Sequence, residues 1–227
     1  MTSPPLAAVL WDMDGTLVDT EPYWMASEVA LIESFGGTWS HEQALGLVGM
    51  GLEDSARILQ DAGVRMAVHD IVDHLTDAVT ARLATEGVPF RPGARELLAS
   101  LRDAGIKTGL VTMSLRRMAL SVVELIDFEA FDVVIAGDDS TRPKPFPDPY
   151  LQACEALGVT PEESVAIEDS PNGLRSAVAS GAAVIGVPLM VSVAGAGAHA
   201  VWPTLDGVTA ADIVDFHSAH RARGVHA

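Results

Sequence analysis

One cysteine, two tyrosines and two lysines are all that this 227-residue chain carries of those types. The single Cys154 excludes an intramolecular disulfide and fits a reducing compartment. It lies in a helix-like stretch, Pro147 to Leu157, where a packed core thiol is the better reading than a nucleophile. Positive charge is scarce as well: 14 Lys and Arg stand against 31 Asp and Glu, a formal net charge of -17. Such a surface repels nucleic-acid backbones and anionic lipid headgroups, which excludes partners of those classes. It also repels any anionic substrate, so a site for one must bring its own local positive charge. That makes each lysine, Lys107 and Lys144, informative. Met1 to Leu10 has no basic region ahead of an apolar run, so no targeting segment is expected there. Gly181 to Pro203 carries no formal charge and is as long as a membrane span, but Pro188, Ser192 and His199 interrupt it. A buried strand, Ala183 to Val187, followed by a loop is expected instead. The expectation is a cytoplasmic protein, a monomer or weak dimer, with no membrane partner.

What is present is a repeating pattern of short apolar runs that end in polar residues. Ala7 to Trp11 stops at Asp12-Met13-Asp14-Gly15-Thr16, and Lys107 to Val111 stops at Thr112. Val133 to Ala136 stops at Gly137-Asp138-Asp139, Ser164 to Ile167 at Glu168-Asp169, and Ala183 to Val187 at Pro188. Each reads as a buried parallel strand. Helix-like stretches separate them: Gly93 to Ala104, Leu115 to Leu125 and Pro147 to Leu157. Thr160-Pro161-Glu162-Glu163 has the form of a capped helix start. A helix with a loose, His-rich end is expected on the surface after Ala211. Alternation of this kind implies an α/β fold, a parallel sheet with helices on both faces. One segment breaks it: Glu21 to Phe35, Leu52 to Ala62 and Val68 to Glu86 all read as helices, with no strand between them. The expected organisation is a core of residues 1–19 and 89–227 and a helical insertion of residues 20–88.

Ligands of open parallel sheets sit at the carboxyl ends of the strands. Here those ends bring together Asp12, Asp14, Thr112, Glu168 and Asp169, with Lys144 following the third strand in Arg142-Pro143-Lys144-Pro145. Clustered carboxylates in an acidic protein repel one another unless a hard divalent cation lies among them. No His or Cys accompanies the cluster, which argues against zinc. Taken singly, each residue has a plainer reading. Asp12 and Asp14 could be turn residues, Thr112 or Ser114 could cap the helix from Leu115, Asp169 and Ser170 could cap the one near Gly173, and Lys144 could be solvated. It is the convergence that counts. His69 and His74, five apart, share no helix face and read as solvated. Gly195 and Gly197 lack the strand–turn–helix context of a dinucleotide site. Arg116 and Arg117 are either a solvated helix face or substrate-facing.

Asp12-Met13-Asp14-Gly15-Thr16-Leu17-Val18-Asp19-Thr20 resembles the first motif of the haloacid dehalogenase-like superfamily. Val111-Thr112-Met113-Ser114 resembles its second, Lys144 its third, and Glu168-Asp169-Ser170-Pro171-Asn172-Gly173 its fourth, in order from about residue 8 to 187. The resemblance implies a Rossmann-like three-layer core with the first strand central, and a small helical cap inserted after the first motif. It implies a magnesium-dependent phosphatase in which Asp12 is phosphorylated, Asp14 serves as acid and then base, and Thr112 holds phosphoryl oxygens. Lys144 would balance charge. Magnesium would be bound by Asp12, the Asp14 carbonyl and Asp169, with Glu168 as a direct or water-mediated helper. Met113, Ser114 and Trp24 join Thr112 and Lys144 as candidate substrate contacts.

The cap would close over the crevice, hinged near Asp19 to Pro22 and Val88 to Gly93. Trp24 and the loop Leu47 to Leu52 are its candidate specificity elements, although Trp24 could equally be a packed aromatic. No lysine occurs between Thr20 and Val88, which disfavours a Schiff-base hydrolase. Val48 and Leu52 stand where beta-phosphoglucomutase members carry cations, and Trp24 where they carry a His. Asp14 is present, which disfavours dehalogenation. The expected reaction is hydrolysis of a small phosphomonoester, a sugar or polyol phosphate. The alternatives are a phosphomutase, a phosphoglycolate phosphatase and a non-catalytic binding protein.

Overall fold

The computed structural model describes residues 5–224. Met1 to Pro4 and the last part of the His-rich end, including His226, lie outside the described residues. Six strands form one parallel sheet in the order β3-β2-β1-β4-β5-β6. They are β1 Ala8–Trp11, β2 Lys107–Val111, β3 Val133–Ile135, β4 Ser164–Glu168, β5 Ala183–Gly186 and β6 Ala200–Val201. The first strand is central, as the resemblance implies, and pairs with β2 on one side and β4 on the other.

β1 reads Ala-Val-Leu-Trp without a polar residue because both faces of the sheet are covered. Its side chains alternate between two apolar clusters. Val9 and Trp11 pack with α5 (Ala94–Asp103), α6 (Arg116–Glu124) and α9 (Ala210–Gly224). Ala8 and Leu10 pack with α7 (Asp148–Leu157) and α8 (Pro171–Ser180). Cys154 lies in the second cluster as a buried free thiol.

Between β1 and α5 the chain forms only helices: α1 Glu21–Ser34, α2 His41–Leu45, α3 Leu52–Asp61 and α4 Val68–Glu86. Their inward residues, among them Leu31, Leu59, Ile71, Val79 and Leu83, are continuous with the first cluster. The two connections to this insertion run side by side. Val18 bridges Phe90, the Asp19 N–H donates to the Pro89 carbonyl at 2.8 Å, and the Arg91 N–H donates to that of Leu17 at 3.0 Å.

Three local expectations change. The Thr160 capping box is present, but it opens a single 3-10 turn, Pro161–Glu163, that runs straight into β4. The loop expected after β5 contains β6, a strand of two residues and therefore without a readable period. α9 is not merely a surface helix. Ile213 and His217 are buried, and His217 Nε2 lies 2.9 Å from the Glu162 carbonyl oxygen. Among the described residues, no helix is long and apolar enough to cross a membrane.

Candidate active site

The carboxyl ends of β1, β2 and β4 bring Asp12, Asp14, Thr112, Met113, Ser114, Asp169 and Ser170 to one cavity, which Lys144 also lines. Asp12 continues β1, its N–H donating to the Ile167 carbonyl at 3.0 Å. Lys144 is buried and donates from Nζ to Asp12 Oδ1 at 2.7 Å, to Glu168 Oε1 at 2.6 Å and to the Val111 carbonyl at 2.9 Å. Burial alone would lower the Lys144 ammonium, but Asp12 and Glu168 overrule it and hold the pKa above the usual lysine range. The solvated-surface reading of Lys144 therefore does not describe this chain.

Glu168 is fully buried, and both of its oxygens are engaged. Tyr150 donates its hydroxyl to Oε1 at 2.7 Å, beside Lys144. The Ser170 N–H and Oγ approach Oε2 at 3.4 and 3.3 Å. Ser170 in turn caps α8, accepting from the Gly173 N–H at 3.0 Å. Gly173 is required by this packing, because a Cβ there would lie 1.9–2.0 Å from the Glu168 carboxyl atoms.

Asp14 is held by donors from both halves of the molecule. Ser114 Oγ donates to Oδ2 at 2.7 Å, and Thr112 Oγ1 approaches it at 3.4 Å. From the insertion side, Thr20 Oγ1 and Trp24 Nε1 donate to Oδ1, the latter at 3.1 Å. Trp24 is thus a buried aromatic and a partner of the site at once. Thr112 does not cap α6. It accepts the Ser114 N–H at 3.0 Å, and α6 is capped from outside by Asp138, whose Oδ1 accepts the Arg116 N–H at 2.8 Å.

Carboxylate oxygens of Asp12, Glu168 and Asp169 come within 4.8 Å of one another. Burial, then Glu168 and Asp14, push Asp12 up to about 7 against the pull of Lys144. Burial, then Asp12, Glu168 and Glu21, hold Asp169 well above the usual carboxylate range. Four carboxylates around one ammonium form an uncompensated cluster of oxygen donors, and this donor set suits a hard divalent cation. With Glu168 occupied by Lys144, Tyr150 and Ser170, the fit is best at Asp12 and Asp169. Gly15 closes the approach between them: its φ is +83°, and a Cβ there would lie 2.2 Å from Asp169 Oδ2.

Arg91 was readable only as part of a turn. It is a buried brace behind Gly15, with Nη1 donating to the Gly15 and Val187 carbonyls at 2.6 and 2.7 Å. Tyr150, Glu21 and Glu28 were likewise missed. Glu21 and Glu28 are buried in α1 and line the cavity from the insertion side. Arg116 and Arg117 face away from it. Arg116 pairs with Asp139, and Arg117 pairs with Asp73 and Asp77 of α4. His69 and His74 are exposed.

Burial lifts Glu28 to about 7 against the Trp39 indole N–H, and burial followed by Asp14, Glu28, Asp19 and Asp12 lifts Glu21 to about 8. The folded state holds these protons more tightly than the unfolded chain. Their contribution to stability is therefore full below the unfolded value of 4.5 and is lost as pH rises through 7 to 8. Glu28→Gln is expected to be near neutral at pH ~5 and to raise stability at pH ~8 by up to about 3 kcal/mol, or roughly 6–12 °C in Tm. Thermal unfolding of the metal-free protein at the two pH values checks this. A variant less stable than its parent at the higher pH contradicts it.

Residues 9–187 match the family model described as "Haloacid dehalogenase-like hydrolase". A phosphorylated carbohydrates phosphatase of Thermotoga maritima is 32% identical over 180 residues, covering 78% of this chain and 82% of the relative. Hexitol phosphatase B of Escherichia coli K12 is 30% identical over 193 residues, covering 83% and 86%. The crystal structure of a mutant of CbbY from Rhodobacter sphaeroides in complex with xylulose-(1,5)bisphosphate superposes with a TM-score of 0.82 at 27% identity, over 91% of this chain and 98% of that one. With four motifs converging on one buried cluster and a helical insertion after β1, the chain belongs to the haloacid dehalogenase-like hydrolases, as a phosphoric monoester hydrolase of the subgroup with a small helical cap.

Proposed function

We propose that the chain hydrolyses the monophosphate ester of a small sugar or polyol, with magnesium, through transient phosphorylation of Asp12. The observation that carries this reading is the buried Asp12–Lys144–Glu168 arrangement beside Asp14 and Asp169. One ammonium fixes an oxygen of Asp12 while three further carboxylates surround it, a setting that favours an arriving cation and a phosphoryl group over an empty cavity.

In this mechanism Asp12 attacks phosphorus and the alkoxide of the substrate leaves. Asp14, two residues on, donates its proton to that leaving oxygen. It then takes a proton from the water that attacks the phosphorylated Asp12. Thr112, Met113 and Ser114, at the end of β2, line the space for the phosphoryl oxygens. Lys144 neutralises charge on Asp12 and the transferred group, while Glu168 and Tyr150 position Lys144. Asp12, Asp169 and the Asp14 carbonyl would hold the metal, which when bound supplies the positive charge that the carboxylates and the phosphoryl oxygens lack.

We assign residues 1–19 and 89–227 to the core and 20–88 to the cap. The paired crossings at Val18–Asp19 and Pro89–Arg91 support this division, since both connections can bend together. Thr20 and Trp24 carry hydrogen bonds from the cap to Asp14, so cap closure sets the position of the acid. The test is phosphate release from a panel of metabolite phosphates. Turnover is expected to fall to background with a chelator and to return with magnesium. Undiminished release without any divalent cation contradicts the proposal.

A further inference from the structure

Glu21 and Glu28 lie seven residues apart on α1, two helical turns, and so share a face. That face lines the same cavity as Asp12, Asp14 and Lys144. Both glutamates are more than nine-tenths buried, with 8% and 6% of their surface exposed. Among the described residues Glu21 has no hydrogen-bond partner, and Glu28 has one, the Trp39 indole N–H at 3.3 Å. The remaining cap lining, from Ala44 to Ser55, contains no lysine or arginine. Among the described residues, the one cation lining the cavity is Lys144, already engaged by Asp12 and Glu168.

Buried carboxylates with unused acceptor capacity call for donors. Here the protein does not supply them, and the cavity is where they would come from. We propose that the Glu21–Glu28 face, with Ser55 of the same cavity lining, is a subsite for the end of the substrate remote from phosphorus, and that it takes a hydroxyl- or ammonium-bearing group and turns away a second anionic one. This rests on the phosphatase reading above and narrows it to monophosphates with a donor-rich, non-anionic tail. Above pH ~8, where Glu28 (about 7) and Glu21 (about 8) are ionised, a second phosphate would meet two carboxylates and, among the described residues, no free cation, whereas a polyol hydroxyl donates to them and an ammonium pairs with them.

The test, run at pH ~9 so that Glu28 and Glu21 are both ionised, compares kcat/KM for sorbitol 6-phosphate, glucosamine 6-phosphate and fructose 1,6-bisphosphate, with p-nitrophenyl phosphate as a reporter of the chemical step alone. Both monophosphates are expected to exceed the bisphosphate by about 100-fold or more, the scale on which like-charge juxtaposition discriminates. A further gain for glucosamine 6-phosphate identifies the donor as an ammonium, and parity with sorbitol 6-phosphate identifies it as hydroxyl. In Glu28→Gln the monophosphate-to-bisphosphate ratio is expected to shrink by about tenfold, whatever happens to the absolute rates. A bisphosphate turned over as well as the monophosphates overturns the proposal, and so does an unchanged ratio in Glu28→Gln. If p-nitrophenyl phosphate is not hydrolysed, the phosphatase reading has failed by itself. Calorimetric binding of the same three esters to Asp12→Asn with magnesium then decides the subsite: the monophosphates binding more tightly supports it, and the bisphosphate binding as tightly or more so overturns it.

Discussion

Asp12→Asn is expected to lower phosphate release by about 10⁴-fold or more while leaving the fold intact, because it removes a nucleophile with no substitute in reach. The amide keeps the shape of the side chain and can still meet Lys144, but it cannot open an attack on phosphorus. The other carboxylates of the cluster are placed for different tasks: Asp14 is held by Ser114, Thr20 and Trp24, and Glu168 by Lys144 and Tyr150. Removing one negative charge from an over-acidic cluster is expected to raise Tm in the absence of metal, since burial, and then the carboxylates of Glu168 and Asp14, push Asp12 up to about 7. Activity and stability should therefore move in opposite directions. A steady-state rate within tenfold of the wild type would show that Asp12 is not the attacking group.

Gly173→Ala is expected to do the reverse of what helix propensity says. In the first turn of a helix, alanine ordinarily gains up to about 1 kcal/mol over glycine. Here the added Cβ falls 1.9 Å from Glu168 Oε1 and 2.0 Å from its Cδ and Oε2. Glu168 cannot simply rotate away, because it is fully buried and anchored by Lys144, Tyr150 and Ser170. Either α8 shifts or Glu168 leaves and releases Lys144. Overpacking of this kind costs about 3 kcal/mol, or roughly 6–12 °C in Tm for a chain of this size. Turnover is expected to fall with it, as Lys144 loses its second carboxylate. Thermal unfolding and a rate measurement on the same preparation check both halves, and a variant as stable and active as the parent contradicts the packing account.

The same contrast separates what could be read from the chain and what could not. Asp12, Thr112 and Glu168-Asp169 each end an apolar run, and a polar residue that abruptly stops a buried parallel strand is a local signal. The architecture followed from the alternation of such runs with helices, and the helical insertion from its interruption. The supporting shell left no such signal. Tyr150 lies in a helix and looks like any core aromatic, yet its hydroxyl closes the Glu168 cluster from 18 residues away. Arg91 belongs to a turn in sequence and to the back of Gly15 in space, 76 residues apart. Glu21 and Glu28 sit in a helix where glutamate is ordinarily solvated, and their burial emerges only in the folded chain. Short elements escaped for another reason: α2 has five residues and β6 two, below the length at which a period can be seen.

Trp24 shows that competing readings need not exclude each other, whereas Thr112, which faces Asp14 and leaves the α6 cap to Asp138, keeps only one of its two. Trp24 is buried like a core residue and still reaches Asp14 with its indole N–H. A side chain with both an apolar body and a polar tip can serve packing and site together.

The central claim is that the phosphoryl group passes through Asp12, and the stereochemical course at phosphorus tests it most directly. A substrate whose phosphorus is made chiral with oxygen isotopes and sulfur would be hydrolysed by the magnesium-loaded wild-type protein and its product configuration determined. Two successive in-line displacements, first by Asp12 and then by water, predict overall retention. Inversion would mean that water attacks the ester directly, and would contradict the account.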